Sequence, residues 1–223
     1  MKVTLISHSQ PSDYGLNDIQ EIVAFCARVS NPSNQLNMET SEKFIKYLIK
    51  NKHWSPLEMV SACLEIETTR DIARQMLRHR SFSFQEFSQR YADPTKDLSF
   101  ELREARLQDT KNRQNSNELD LGQASQRSLH VEWYRQQQLV IESATQAYRW
   151  AIKNGIAKEQ ARAVLPEGNT MSRMYMNGTI RSWVHYIELR SANGTQKEHI
   201  EVAAAIAQAI TKIFPMITDI VQQ

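Results

Sequence analysis

Glycine is scarce in this 223-residue chain: there are six, and no two stand close together. No glycine-rich phosphate loop of either common kind can be written on it. Any phosphate must therefore be held mainly by side chains. Cysteine is scarcer still. Cys26 and Cys63 lie far apart in apolar segments, form no CxxC and pair with no histidine at metal-ligand spacing. That excludes a disulfide framework and a metal knuckle; the expectation is two reduced core thiols, no metal, and a cytoplasmic location. Long apolar runs are missing too. Nothing approaches the roughly 20 residues of a membrane span, and the apolar run within Met1–Ile6 is too short for a signal peptide. Net charge is nearly absent: 27 Lys and Arg against 25 Asp and Glu leave +2. Such a balance argues against a chain whose main business is coating nucleic acid.

What is present is ordinary globular material with an arginine bias. Hydrophobic residues make up 41% and charged residues 23%. Arginine outnumbers lysine 16 to 11, and the planar guanidinium grips phosphate oxygens bidentately. Val3–His8 reads as a strand and Asn17–Val29 as a helix, followed by a turn-rich break at 30–35. Thr40 or Ser41 caps the next helix. His53-Trp54-Ser55-Pro56 is a loop. Met59–Thr68 alternates as a strand, and Thr69 caps a short helix ending near Arg80. Residues 92–130 form a polar surface excursion, expected to be mobile. Helix resumes from about Ser125 to Lys153, with Gly155 as its stop, and a short helix carries Arg162. Met171–Asn177 reads as a strand, and Thr179–Leu189 and Gln196–Phe214 read as helices. No linker divides the chain, so one domain over 1–223 is expected.

The densest chemistry is Arg70, Arg74, Gln75, Arg78, His79 and Arg80, followed by Ser83, Gln85, Glu86, Ser88, Arg90 and Tyr91. On a helix, Ile72, Ala73, Met76 and Leu77 form an apolar stripe, and Arg74, Gln75 and Arg78 share the opposite face. In an extended run Ser83, Gln85 and Phe87 face one way and Phe84, Glu86 and Ser88 the other. A solvated basic helix end would account for any one arginine. Five arginines within 21 residues, with only Asp71 and Glu86 as acids, repel one another unless an anion sits among them. A basic face interleaved with aromatics also suits single-stranded nucleic acid.

The run Arg78-His79-Arg80-Ser81-Phe82-Ser83-Phe84-Gln85-Glu86-Phe87-Ser88-Gln89-Arg90 resembles the RHRxxSxNxxSxR signature of the flavin-dependent thymidylate synthases. Six of the seven fixed positions match, and Gln85 replaces the usual Asn. Arg162-Ala163-Val164-Leu165-Pro166, the segment Thr179–Arg190 and Gln196-Lys197-Glu198-His199-Ile200 resemble the family's C-terminal half. His53-Trp54-Ser55-Pro56-Leu57-Glu58 also fits. The resemblance covers almost the whole chain and is loosest over 92–130.

The resemblance implies a homotetrameric enzyme of one α+β domain, a mostly antiparallel sheet flanked by helices. It would make dTMP from dUMP, with methylenetetrahydrofolate as carbon donor, FAD as hydride carrier and NADPH as reductant. Ser55, Arg78, His79, Arg80, Glu86, Thr179, Ile180, Arg181 and His185 resemble the FAD site. Gln75, Met76, Leu77, Arg78, Glu86, Phe87, Ser88, Gln89, Arg90, Arg162 and Arg190 resemble the dUMP site. Ser88 and Arg90 would grip the nucleotide phosphate. His53 and Trp54 look like the loop beside the flavin, where folate and nicotinamide would take turns. Neither cysteine has a context that favours a thiolate. The family-like reaction instead needs no enzyme nucleophile: Arg190 would sit against the uracil edge and stabilise charge as the ring is polarised. Reduced flavin would relay the one-carbon unit or supply hydride to the ring; the alternatives to this reading are a basic single-stranded nucleic-acid-binding module and a non-catalytic flavin-binding relative.

Overall fold

The structure is a computed structural model that describes residues 1–217; the last six residues of the domain expected over 1–223 lie outside the described part. In chain order the elements are β1 (Lys2–His8), α1 (Ile19–Ala27), α2 (Ser41–Lys50), β2 (Ser61–Thr69), α3 (Arg70–Met76), β3 (Ser83–Glu86), α4 (Pro94–Asp97), β4 (Arg106–Gln108), β5 (Ser116–Glu118), α5 (Ala124–Lys153), α6 (Lys158–Ala161), β6 (Met171–Thr179), α7 (Ile180–Ser191) and α8 (Lys197–Thr211). Short 3-10 turns occupy Pro32–Asn34, Ser55–Glu58 and Arg162–Val164. Four strands pair in the order β1-β2-β6-β3, and every pairing is antiparallel. This is the α+β class the resemblance implied.

The central strands explain why one face of the sheet is dry. Along β2, Ala62, Leu64 and Ile66 point to the buried side; along β6, Met174 and Met176 do so. Each fully buried Leu, Ile or Met contributes about 1.5–3 kcal/mol. On the other face Arg173 pairs with Glu67 at 2.7 Å, and the Tyr175 hydroxyl donates to Glu65 at 2.8 Å. That alternation is the signature of an antiparallel sheet covered on one side. The covering layer includes α1, α3, α7 and α8, through Ile19, Ile72, Trp183 and Ile206. A register shift between Leu5 and Ser7 interrupts β1, and Ile6 there is half exposed.

Topology brings the two functional helices together. β2 runs straight into α3, and β6 runs straight into α7. Ser61 pairs with Thr179 and Thr69 with Met171, so the two helices start from opposite ends of the sheet. Seven-residue α3 spans about 10 Å and twelve-residue α7 about 18 Å. Together they nearly match the ~30 Å of a nine-residue strand. Their C-terminal ends therefore meet over the sheet.

Two expectations need correction. The helix after Thr69 ends at Met76, not near Arg80. His79 N–H donates to the Met76 carbonyl at 3.0 Å, and a turn follows that drops Phe82 into the core against Trp183, ring centroids 4.6 Å apart. Burying that ring is worth more than another helical turn carrying three adjacent basic residues. Arg78 consequently does not continue the face of Arg74 and Gln75. The second correction concerns the excursion. β4 and β5 form a two-stranded ribbon, and Ser99 to Arg106 lie against the sheet end. Arg103 N–H donates to Gln137 Oε1 at 2.7 Å, and Arg103 Nη2 lies 2.7 Å from Asp71 Oδ1. Residues 99–106 are thus packed rather than part of a loose loop, while most of 107–129 is exposed at the surface.

Candidate active site

Arg190 stands at the C-terminal end of α7, where the helix dipole favours a cation. Its Nε donates to His79 Nε2 at 2.9 Å. Its two terminal nitrogens make no hydrogen bond or ion pair among the described residues. His79 accepts at Nε2 and so carries its proton at Nδ1. Burial, and then the Arg190 charge, push its pKa down to about 4. The ring packs edge-on to Tyr186, centroids 4.8 Å apart. Burial raises the Tyr186 phenol well above its ordinary range, despite the opposing charge of Arg190. Its hydroxyl lies 2.8 Å from His199 Nε2. His199 Nδ1 lies 3.1 Å from Gln75 Oε1, and Gln75 Nε2 donates to Gln196 Oε1 at 3.0 Å. One connected group thus joins α3, α7 and α8.

The residues expected to hold a flavin fall into three kinds. Arg78 and Arg80 are exposed and have no partner among the described residues. They flank His79 on the turn after α3, two unneutralised guanidinium groups suited to a diphosphate. The Trp54 ring meets His185 edge-on at 4.7 Å and 80°, beside Ser55 at the start of a 3-10 turn, while His53 lies against Tyr47 at 6.2 Å. The remaining residues already have structural work. Arg181 pairs with Glu58. Thr179 caps α7, its Oγ1 accepting from Ser182 N–H at 3.2 Å. Ile180 is buried in the core, and its N–H donates to the Val60 carbonyl at 3.0 Å.

The nucleotide residues divide into two groups. Gln75 and Arg190 belong to the connected group above, with Leu77 half-buried nearby in sequence and Met76 sealed in the core. The other group follows β3. Glu86 Oε1 accepts from Ser172 Oγ at 2.7 Å and lies 3.4 Å from Arg70 Nη1. Phe87 N–H extends the pairing by donating to the Arg173 carbonyl at 2.8 Å. Ser88 Oγ accepts from Arg90 N–H at 3.3 Å. Arg90 Nη2 lies 3.1 Å from Glu159 Oε2, and Arg162 Nε donates to the Glu159 carbonyl at 3.3 Å. Two arginines 72 positions apart in sequence therefore meet at α6. Gln89 is 5% exposed, and its Nε2 has no partner among the described residues. A buried amide without a partner is costly, so this atom is a donor waiting for an acceptor. No hydrogen bond or ion pair among the described residues joins the two groups.

Sequence reasoning missed Tyr186, His199, Gln196, Glu198, Arg103 and Arg106 as members of the site. Two signals were available: Tyr186 and Arg190 are i and i+4 on one helix, and Gln196, Glu198 and His199 stand in the family-like segment Gln196–Ile200. Nothing local marked Arg103 or Arg106. Both cysteines are free and partly buried, and burial pushes their thiols up. No helix among the described residues is long and apolar enough to cross a membrane.

Comparison with known proteins gives the family. Residues 5–216 match the family described as thymidylate synthase complementing protein. The chain is 46% identical over 217 residues to a probable flavin-dependent thymidylate synthase of Paramecium bursaria Chlorella virus 1, covering 97% of each chain. It is 48% identical over 197 residues to the flavin-dependent thymidylate synthase of a Synechocystis species, covering 88% of this chain and 86% of the other. Among solved structures, a UMP/dUMP methylase of Streptomyces cacaoi bound with 5-Br dUMP superposes with a TM-score of 0.77 at 25% identity, over 99% of this chain and 94% of that one. The chain belongs to the thymidylate synthase complementing family, the flavin-dependent thymidylate synthases.

Proposed function

We propose that this protein catalyses the FAD-dependent reductive methylation of dUMP to dTMP, with methylenetetrahydrofolate as one-carbon donor and NADPH as reductant. The balance is one methylene and one hydride gained by the ring in place of its C5 proton, with tetrahydrofolate and NADP⁺ released. The observation that carries the reading is Arg190: its Nε is held by His79 while both terminal nitrogens are left for a ligand. A guanidinium so fixed can donate to the uracil edge and stabilise negative charge as the ring is polarised. Flavin, when bound, supplies the two-electron redox chemistry that the side chains lack.

The chain's own residues do the rest. Arg78 and Arg80 would hold the flavin diphosphate, with Trp54 and His185 as aromatic walls for the ring, folate and nicotinamide. Ser88, Gln89, Arg90 and Arg162 would hold the nucleotide phosphate; Arg90 would exchange Glu159 for it. No enzyme nucleophile is needed. Among the described residues Ser88 Oγ has only the Arg90 N–H as a partner, with no general base in hydrogen-bond reach, and both thiols are discouraged from ionising.

The two groups of nucleotide residues would complete one another between copies of the chain, in a homotetramer. Support for self-association comes from α5. This 30-residue helix buries only Gln137, Ala144, Tyr148 and Ala151, while Leu129, Val131, Trp133, Leu139, Val140 and Trp150 face outward. Exposed apolar surface of that extent marks an interface.

Tritium release from dUMP labelled at C5 tests the proposal. Purified protein reconstituted with FAD should release tritium only when methylenetetrahydrofolate and NADPH are present, and its yellow colour should bleach with NADPH under anaerobic conditions. A protein that cannot be loaded with FAD would refute it.

A further inference from the structure

Glu198 ends a chain of hydrogen bonds that has one consistent direction. Its Oε1 accepts from Arg106 Nη2 at 2.5 Å, and its Oε2 lies 3.1 Å from Arg103 Nη1. Burial opposes its ionisation, but the bond from Arg106, its own backbone N–H, the charge of Arg103 and the Gln196 amide outweigh that and hold its pKa at about 2. Such a carboxylate only accepts. Gln196 must therefore turn its Nε2 towards Glu198 Oε2, at 2.9 Å, and its Oε1 towards Gln75 Nε2, at 3.0 Å. That leaves Gln75 Oε1 to accept from His199 Nδ1, at 3.1 Å. The His199 ring then carries its proton on Nδ1, and Nε2 is free to accept the Tyr186 hydroxyl at 2.8 Å. His199 is fully buried; burial first, then the charges of Arg190 and His79, keep the ring neutral. Both its nitrogens are used, and every donor and acceptor role from Glu198 to Tyr186 follows from the charge at one end.

We propose that His199 is a positioning residue for both halves of this chain's substrate-facing group: its Nδ1–H pins the Gln75 amide on α3, and its Nε2 pins the Tyr186 hydroxyl on α7, whose ring seats His79 and through it Arg190. The inference rests on the reading that Gln75 and Arg190 face the nucleotide. A free amide can flip and present its donor or its acceptor; a pinned one offers one remaining N–H and one lone pair in fixed places. The ordering cost is then met before the nucleotide arrives, which favours binding. The same chain gives Arg103 and Arg106 of the excursion a role: their charges set its direction.

Dissociation constants and steady-state constants for dUMP, measured on the FAD-loaded enzyme, test this with Gln75→Leu, His199→Phe, His199→Gln, Gln196→Leu and the double variant His199→Phe/Gln75→Leu. Gln75→Leu and His199→Phe should each raise the dUMP KM and Kd by about 5- to 30-fold, the cost of one buried hydrogen bond. The double variant should have the KM and Kd of Gln75→Leu, because that part of the His199 effect acts through the amide, but a lower kcat than Gln75→Leu, because His199→Phe also releases Tyr186 beneath His79 and Arg190. His199→Gln, which can still donate and accept, should recover most of the affinity. Gln196→Leu should raise KM with kcat within about twofold, because Arg190 keeps its own support. An unchanged KM and Kd in Gln75→Leu would refute the placement of Gln75 beside the nucleotide. A raised KM in Gln75→Leu with an unchanged one in His199→Phe would overturn the positioning role. If His199→Phe does not fold, Gln196→Leu decides, and an unchanged KM there overturns the inference.

Discussion

Arg190 Nε donates to His79 Nε2 across 2.9 Å, joining the end of α7 to the turn after α3. The bond orients a guanidinium whose other nitrogens are unpartnered among the described residues, and it requires His79 to be neutral. Arg190→Ala should reduce dTMP formation by at least about 100-fold, the usual loss for a donor that stabilises developing charge. The variant should still bind FAD, because Arg78, Arg80 and the Trp54–His185 pair are untouched. Tritium release and flavin content of the purified variant check both halves, and loss of flavin would show that Arg190 holds the cofactor instead.

Ser88→Ala should retain measurable turnover with weaker dUMP binding. Its Oγ accepts from Arg90 N–H and has no base beside it, so the expected loss is one hydrogen bond to phosphate, raising KM by about 10-fold. Complete loss of turnover with unchanged dUMP affinity would revive a nucleophilic serine.

Acid should destabilise the fold through histidine. His79 and His199 both sit at about 4 in the folded chain, against about 6.5 unfolded. Between those values the unfolded chain binds protons that the folded one refuses. Stability therefore falls as pH drops from about 6.5 towards 4, and the loss levels off below that. For fully buried His199 the loss is about 2 kcal/mol between pH 8 and pH 5. Urea unfolding at both pH values should show a smaller loss in His199→Gln than in the parent chain; equal losses would mean that His199 titrates normally.

Gly178 admits no side chain. A β-carbon there would lie 2.3 Å from Phe82 Cδ1 and 2.5 Å from Cε1. Phe82 packs on Trp183 and Tyr186, the aromatic floor beneath His79. Gly178→Ala should cost about 1–3 kcal/mol of stability, lowering Tm by roughly 3–10 °C, and calorimetry of the two proteins measures it.

Association should depend on α5. Replacing Trp133 or Trp150 by Glu places charge in the outward apolar stripe. Sedimentation should then show smaller species with little dTMP formation, since the residues around Arg90 and those around Arg190 would no longer be brought together. A fully active variant of unchanged mass would rule out that stripe as the interface.

Much of the architecture was legible along the chain because it depends on local pattern. The alternation of β2 gave its buried face, and the apolar spacing of 125–153 gave α5 to within a residue. The basic motif led to Arg78, His79, Arg80, Ser88 and Arg90, because a signature of close spacing is a local object. Helical periodicity failed at Leu77, where the tertiary gain from burying Phe82 against Trp183 stops α3. The reading of 99–106 as part of a solvated excursion failed for a different reason: its polar residues are satisfied by Asn169, Gln137, Asp71 and Glu198.

By itself, then, the sequence determined the strand alternation, the extent of α5 and the chemistry available: many arginines, few glycines, no activated thiol. Only the tertiary structure decided which of those groups touch. Gln75 and His199 are 124 positions apart, and Arg190 and His79 are 111. No periodicity reaches across such intervals. The antiparallel pairing of β2 with β6 closes the second, because it starts α3 and α7 at opposite ends of one sheet and makes their far ends meet; the packing of α8 into the same core as α7 closes the first.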